Sequence, residues 1–272
     1  MWPALTGSEI TIDHVFLSHP HEDHSAMLDE VLRCYRVRHV WDAGAVNDTA
    51  AHLAFLKATA SEAGVTYHTA SKRPTGGVVK VFGTEVVFPT SMPWKQFSAG
   101  DLITFGADAT AKVLHADGTF FPNQFNKNST VLRLDLGPVS TLLAADAESS
   151  DGADPYSPVE ELEALLVEDF LADLDVDILQ VGHHGSSTST RVGFLRAVLP
   201  QIALISAGTT LQPGGVTFPD PGVADLLDDY GLLTLRTDEN DGACPEADHI
   251  GMNDTRPGGC DNYVLSIGEP SN

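Results

Sequence analysis

Residues 18–25 read SHPHEDHS and follow directly on the apolar run VFL. Three of the chain's 11 histidines, His19, His21 and His24, stand around Asp23 in this stretch. The segment leading into it, ITIDHVFLS (10–18), has the apolar and β-branched content of a buried strand. A strand end holds side chains more firmly than a loose loop does. Imidazoles and a carboxylate gathered there compose one wall of a metal site. The competing reading is a solvated polar loop that happens to be rich in histidine. His19 and His21, two residues apart, point the same way if the chain stays extended. Asp23 and His24 then face a neighbouring position, so one motif can serve two cations.

Outward from this stretch the chain alternates. Helical patterns are predicted at 25–36, 47–64 (begun by Asn47 or Asp48) and 157–174, the last with Ser157 as cap and Glu160 three residues on. Further helices are predicted at 189–200 and 220–231. Strands are predicted around 37–43, 65–69, 77–83, 84–89, 109–115, 176–182, 201–208, 232–237 and 262–268, with a hairpin of 129–136 and 139–146 turning at Gly137-Pro138. No fixed-period repeat, low-complexity tract or splitting linker is visible, which predicts one α/β domain over 1–272 with mixed sheets. Two more polar clusters hang on strand ends: Asp146, and the pair His183 and His184 in QVGHHGSS. Such ends are where α/β proteins build their sites. Imidazole with carboxylate suits zinc, manganese or iron, and the lack of cysteine argues against a thiolate site.

The charge is lopsided, with 38 acids against 15 bases and a formal net charge of −23. A protein that grips long nucleic acid carries a basic footprint, so tight binding of duplex DNA is disfavoured. No window reaches the length of a membrane span, and MWPALTGSEI lacks the regions of a signal peptide. Cys34 lies in a helical pattern and is expected to be a buried thiol. Cys244 and Cys260 bracket a Gly-, Pro- and Asp-rich loop at 241–262. A Cys244–Cys260 disulfide would close it and imply an oxidising compartment; two unrelated thiols are the alternative. A secreted or periplasmic setting is therefore expected ahead of a cytoplasmic one. The oligomeric state is left open.

HPHEDH fits the H-x-H-x-D-H signature of the metallo-β-lactamase superfamily. Together with NKNSTVLRL, LLAADAE, ILQVGHHGSSTST and FLRAVLPQIALISAG, it resembles the hydrolase domain of ComEC-type competence proteins. The likeness runs from residue 10 to about 210, and the first motif and HHGS are also similar to phosphorylcholine esterase. The resemblance implies an αββα four-layer sandwich, two divalent metal ions (zinc ahead of manganese) and hydrolysis by a metal-bridged hydroxide. Carried over, it places His19 and His21 on one metal, Asp23 and His24 on the other, and Asp146 as the bridge. His184 completes the second metal and His183 contacts phosphate or transfers a proton, or the two exchange roles. Asp23 and His183 are then the residues nearest the catalytic step.

The chain departs from the pattern in three places. No histidine stands where many members have one between the first motif and the bridging Asp; His115 and Asn128 are the candidates for an additional ligand. About eighteen residues precede the first motif, where the superfamily usually has two or more strands, so either a missing N-terminal segment or a reduced first sheet is expected. VTFPDP (216–221) stands where a Gly-His-Pro is common. Ser186 and Ser187 are candidate substrate contacts, although a Ser/Thr run before a helix is first an N-cap. His14, His39, His52, His68 and His249 read as structural or surface. The expected activity is hydrolysis of a small or single-stranded phosphodiester or phosphoester. Hydrolysis of a carboxylic ester, lactone or β-lactam, and an inactive binding module retaining the fold, are the alternatives.

Overall fold

A computed structural model describes residues 10–121, 123–150, 152, 154–208 and 217–238. Cys244, Cys260, His249 and the strand predicted at 262–268 lie outside the described residues. The mixed α/β class read from the alternation is the class observed. The described residues group into two compact units, one formed by those of 10–102 and 112–131, the other by those of 103–111 and 132–238.

The first unit begins with β1 (Thr11–Leu17), a single helical turn α1 (Glu22–Ser25), α2 (Leu28–Cys34) and β2 (Arg36–Asp42). α3 (Ala50–Ser61), β3 (Thr66–Thr69), the hairpin β4 (Val78–Val81) and β5 (Thr84–Val87), and β6 (Trp94–Gln96) follow. β1, β2, β3 and β6 form a parallel sheet in that order. Parallel neighbours need crossovers, which α2 and α3 supply. Val15, Leu17 and Val40 from the sheet pack with Leu32 of α2, Phe55 and Leu56 of α3, and Val81 and Val86 of the hairpin. The cap of α3 is Thr49, whose hydroxyl accepts from the His52 N–H, one or two residues later than predicted. Cys34 is exposed, which corrects the expected buried thiol. Leu28, Val31 and Leu32 take the core-facing stripe of α2, and Cys34 lies two residues past Leu32, about 200° round the helix.

β7 (Leu102–Thr104) and β8 (Ala109–His115) precede β9 (Val131–Leu136) and β10 (Val139–Leu143). α4 (Glu161–Leu174), β11 (Ile178–Gln180), α5 (Val192–Val198), β12 (Ile202–Ile205), α6 (Pro221–Asp229) and β13 (Leu233–Arg236) complete the described chain. These strands make a seven-stranded sheet in the order β13-β12-β11-β10-β9-β8-β7. The predicted hairpin is present as the antiparallel pair β9–β10, with Val139 opposite Leu136. β10 to β13 pair in parallel. Leu162, Leu166, Phe194, Leu195, Val223 and Leu226 are among the fully buried helical side chains of this unit. α6 is capped as its sequence predicts, by Asp220 accepting from the Gly222 N–H with Pro221 in the first turn.

The capping box predicted at 157–160 does not form. The Tyr156 and Ser157 N–H groups bond back to Asp154, and the Glu160 N–H donates to the Ser149 hydroxyl at 2.7 Å. That turn consumes the residues before the helix, and α4 starts at Glu161.

Glu163 of α4 is buried, and its carboxyl accepts from the backbone N–H groups of Thr190 and, at 3.1 Å, Arg191. Burial pushes its pKa up to about 8, against the opposing pull of those two N–H donors. A raised acid stabilises the fold most fully below its unfolded value of about 4.5 and loses that contribution as pH rises through about 8. Between those limits, unfolding free energy is expected to fall with pH in the native chain. Glu163→Gln should flatten that slope, read by urea midpoints at pH 5, 6.5 and 8. An identical slope in both proteins would mean that Glu163 does not titrate in this window.

Candidate metal centre

In the first unit the motif leaves the end of β1. His21 is extended, and the chain then turns at once into α1, with the Ser25 N–H on the His21 carbonyl at 2.9 Å. His19 is fully buried. Its Nδ1 lies 3.2 Å from the Ser18 hydroxyl and 3.4 Å from that of Ser129. Contacts at one ring nitrogen fix the tautomer and leave the other as the ligating atom. His19 Nε2 lies 3.0 Å from His21 Nδ1. Two nitrogens sharing a cation at ~2.1 Å with tetrahedral geometry stand about 3.4 Å apart, so this pair fits a metal with a small adjustment. The His24 ring packs 4.1 Å from that of His19, centroid to centroid, and its Nε2 is 3.6 Å from the exposed Asp23 carboxylate. Asn47 donates to the Pro20 carbonyl at 3.1 Å and His52 accepts the Asn47 N–H at 3.1 Å. The loop before α3 thereby braces the motif from behind.

The two candidates for an additional ligand sit nearby in the same unit. His115 ends β8, nearly buried, with Nδ1 donating to the Ser129 carbonyl at 2.8 Å. Burial lowers its pKa, opposed by that hydrogen bond. Asn128 holds the Phe121 backbone from both sides, accepting from its N–H at 2.8 Å and donating to its carbonyl at 2.6 Å. Its amide is thus engaged in turn chemistry. His14, His39 and His68 lie on the sheet among aromatic rings, His68 stacked on Trp41 at 3.7 Å with its pKa lowered to about 4 by burial first and by its histidine neighbours.

In the second unit Asp146 follows β10 and is almost fully buried. Ala145 before it, and His183 and His184 after β11, all have positive φ, at 50°, 47° and 56°. Left-handed backbone at non-glycine residues costs about 1–3 kcal/mol each and gathers at functional sites. Gly185 continues the turn at φ 81°, and a Cβ there would meet Pro219 at 2.5 Å. The strained turn aims both imidazoles at one carboxylate: His184 Nε2 is 3.7 Å from Asp146 Oδ1, and His183 Nε2 is 3.9 Å from Oδ2. Their Nδ1 atoms are held differently. That of His184 donates to the Ser206 carbonyl at 2.7 Å. That of His183 meets the Glu148 carboxylate at 2.9 Å and the Thr188 hydroxyl at 3.0 Å. Thr188 in turn donates to Glu148 at 3.1 Å.

Glu148 was not among the residues singled out from sequence, although it stands two after Asp146 in LLAADAE. Nothing in that string tells a carboxylate that orients a histidine from one in solvent. Ser186 is occupied locally, its hydroxyl 3.0 Å from that of Thr188, and Ser187 is half-buried beside it. Phe218, where a histidine was noted as absent, lays its ring 6.0 Å from that of His184 at 27°.

No family model matches the chain. It is 33% identical over 119 residues to ComE operon protein 3 of Bacillus subtilis, covering 44% of this chain and 13% of that protein. It is 39% identical over 83 residues to Recombination protein 2 of Haemophilus influenzae, covering 30% and 9%. To Competence protein ComA of Neisseria gonorrhoeae it is 31% identical over 113 residues, covering 42% and 14%. The expected similarity to ComEC-type competence proteins is therefore present, and the chain matches only 9–14% of the length of these relatives. Among solved structures, CmlA, a diiron β-hydroxylase from Streptomyces venezuelae, is 17% identical with a TM-score of 0.45, over 84% of this chain and 44% of that one. Among the described residues no helix is long and apolar enough to cross a membrane.

Proposed function

We propose that the chain is a metal-dependent hydrolase acting on a phosphodiester. In this reading the first unit supplies His19 and His21 as ligands of one divalent cation and Asp23 and His24 as ligands of another, and the second unit supplies Asp146 and His184, as the resemblance to ComEC-type proteins implies. Zinc suits the donors best, with manganese next. The observation that carries the proposal is the aim of the ring nitrogens. His19 Nε2 and His21 Nδ1 converge at 3.0 Å, while Ser206 on Nδ1 of His184 turns its Nε2 towards Asp146.

Two such cations, when bound, ionise water near neutral pH and offset the charge that builds on phosphorus. The protein's own groups do the rest. Glu148 on Nδ1 of His183 fixes that ring and makes Nε2 the atom that passes a proton to the leaving oxygen. Thr188 holds both partners of that pair. The net charge of −23 turns the choice of substrate towards small or single-stranded phosphodiesters, because a long polyanion would be repelled.

A substrate panel tests the proposal. Zinc-loaded protein should turn over bis-p-nitrophenyl phosphate and leave nitrocefin and p-nitrophenyl acetate untouched. Turnover of nitrocefin or the acetate with none of the phosphodiester would replace it with carbonyl hydrolysis.

A further inference from the structure

Residues 117–121 and 123–128 run past the metal motif in the first unit, carrying three phenylalanines, Phe120, Phe121 and Phe125. The ring of Phe125 stands perpendicular to that of His21, 5.4 Å away. Phe120 packs edge-on against Phe121 at 4.9 Å and against His115 at 6.5 Å, yet it is 54% exposed. An exposed ring of that size gains nothing for the core.

The segment is nonetheless firmly anchored. The Gly118 N–H bonds to the Ala43 carbonyl at 3.0 Å, and a Cβ on Gly118 would meet the Ala45 nitrogen at 2.3 Å. Asp117 accepts from both the N–H and the hydroxyl of Thr119 at 2.9 Å. The Asn128 clip on Phe121 closes the other end. Fixed backbone carrying an exposed ring beside a candidate ligand is the construction of a preorganised subsite.

Charge narrows what such a wall would take. A chain at −23 cannot draw affinity from phosphate contacts alone. Stacking of a nucleobase on an aromatic ring supplies about 1–3 kcal/mol, needs no basic footprint and tolerates any base. We infer that Phe120 and Phe125 form a stacking wall for the planar base of the substrate, so that the site prefers phosphodiesters carrying a nucleobase next to the scissile bond. This rests on the phosphodiester reading above and names its substrate class.

The test compares two esters with the same leaving group, the p-nitrophenyl ester of thymidine 5′-monophosphate and ethyl p-nitrophenyl phosphate. In the native chain kcat/KM should favour the thymidine ester by roughly 5- to 150-fold, the factor that one stacked base supplies. That ratio should fall at least about fivefold in Phe120→Ala and further in the double variant with Phe125→Ala, chiefly through KM. No preference in the native chain, or an undiminished one in the double variant, would overturn the wall. If neither ester is turned over, the hydrolase reading fails separately. Calorimetric titration with thymidine 5′-monophosphate against ribose 5-phosphate then decides the wall by itself. A base-dependent affinity lost in the double variant supports it, and equal affinities overturn it.

Discussion

Replacing His184 with alanine should lower bound divalent metal from about two equivalents to about one, with the weaker site's affinity down by more than about 100-fold. Removing a group that merely orients a ligand costs 10–100-fold, and His184 is placed as the ligand itself. Its Nδ1 is committed to the Ser206 carbonyl and its Nε2 faces Asp146, so the ring has one role and alanine supplies nothing in its place. The substitution sits at φ 56°, where alanine is no better suited than histidine, and far-UV circular dichroism beside the metal analysis separates ligand loss from unfolding. Phosphodiester turnover should vanish with the metal. Unchanged metal content in a folded His184→Ala protein would remove His184 from the centre and return the role to His183.

Arg191→Ala should destabilise the chain by at least about 3 kcal/mol, a fall of about 6–12 °C in Tm for a chain of this size. Arg191 is the largest fully buried side chain among the described residues. Its guanidinium donates to the Asp154 and Gly152 carbonyls and, at 2.9 Å, to the Ser150 hydroxyl. Removing one partner of a buried hydrogen bond costs about 1–3 kcal/mol for the group left behind, and here several acceptors lose their donor together. Lysine should not rescue, because a single ammonium cannot reproduce the planar fork. The site should feel the change as well. The Ser189 hydroxyl ties this segment to the Gly182 carbonyl at 2.7 Å, directly before the strained His183–His184 turn. Calorimetry of the metal-loaded protein reads both effects. A Tm within about 2 °C of the native value would show that those carbonyls find water instead.

β1 and the motif at its end could be located from SHPHEDHS because period, apolar content and polar interruption all change at one residue. The β9–β10 hairpin was legible for a similar reason, with Gly137-Pro138 separating two apolar runs. α6 was legible too, since Asp220 and Pro221 are local cap signals. The short strands β6 and β7 were missed because three residues carry no readable period. The predicted cap of α4 failed because Asp154 takes the Tyr156 and Ser157 N–H groups and Ser149, eleven residues before Glu160, takes the Glu160 N–H.

The chain's own sequence determined the α/β class, the three strand-end clusters and the chemical type of their donors. These follow from short-range patterning and from side-chain identity. Tertiary structure alone decided which ring nitrogen of His19, His184 and His183 is engaged, since that is set by Ser129, Ser206 and Glu148, from 22 to 110 residues away in the chain. It also decided that Asn128 clips Phe121, that Cys34 is exposed and that Phe120 stands in solvent beside His115. Hydrogen bonds and burial are properties of neighbours in space, and a sequence lists neighbours only along the chain.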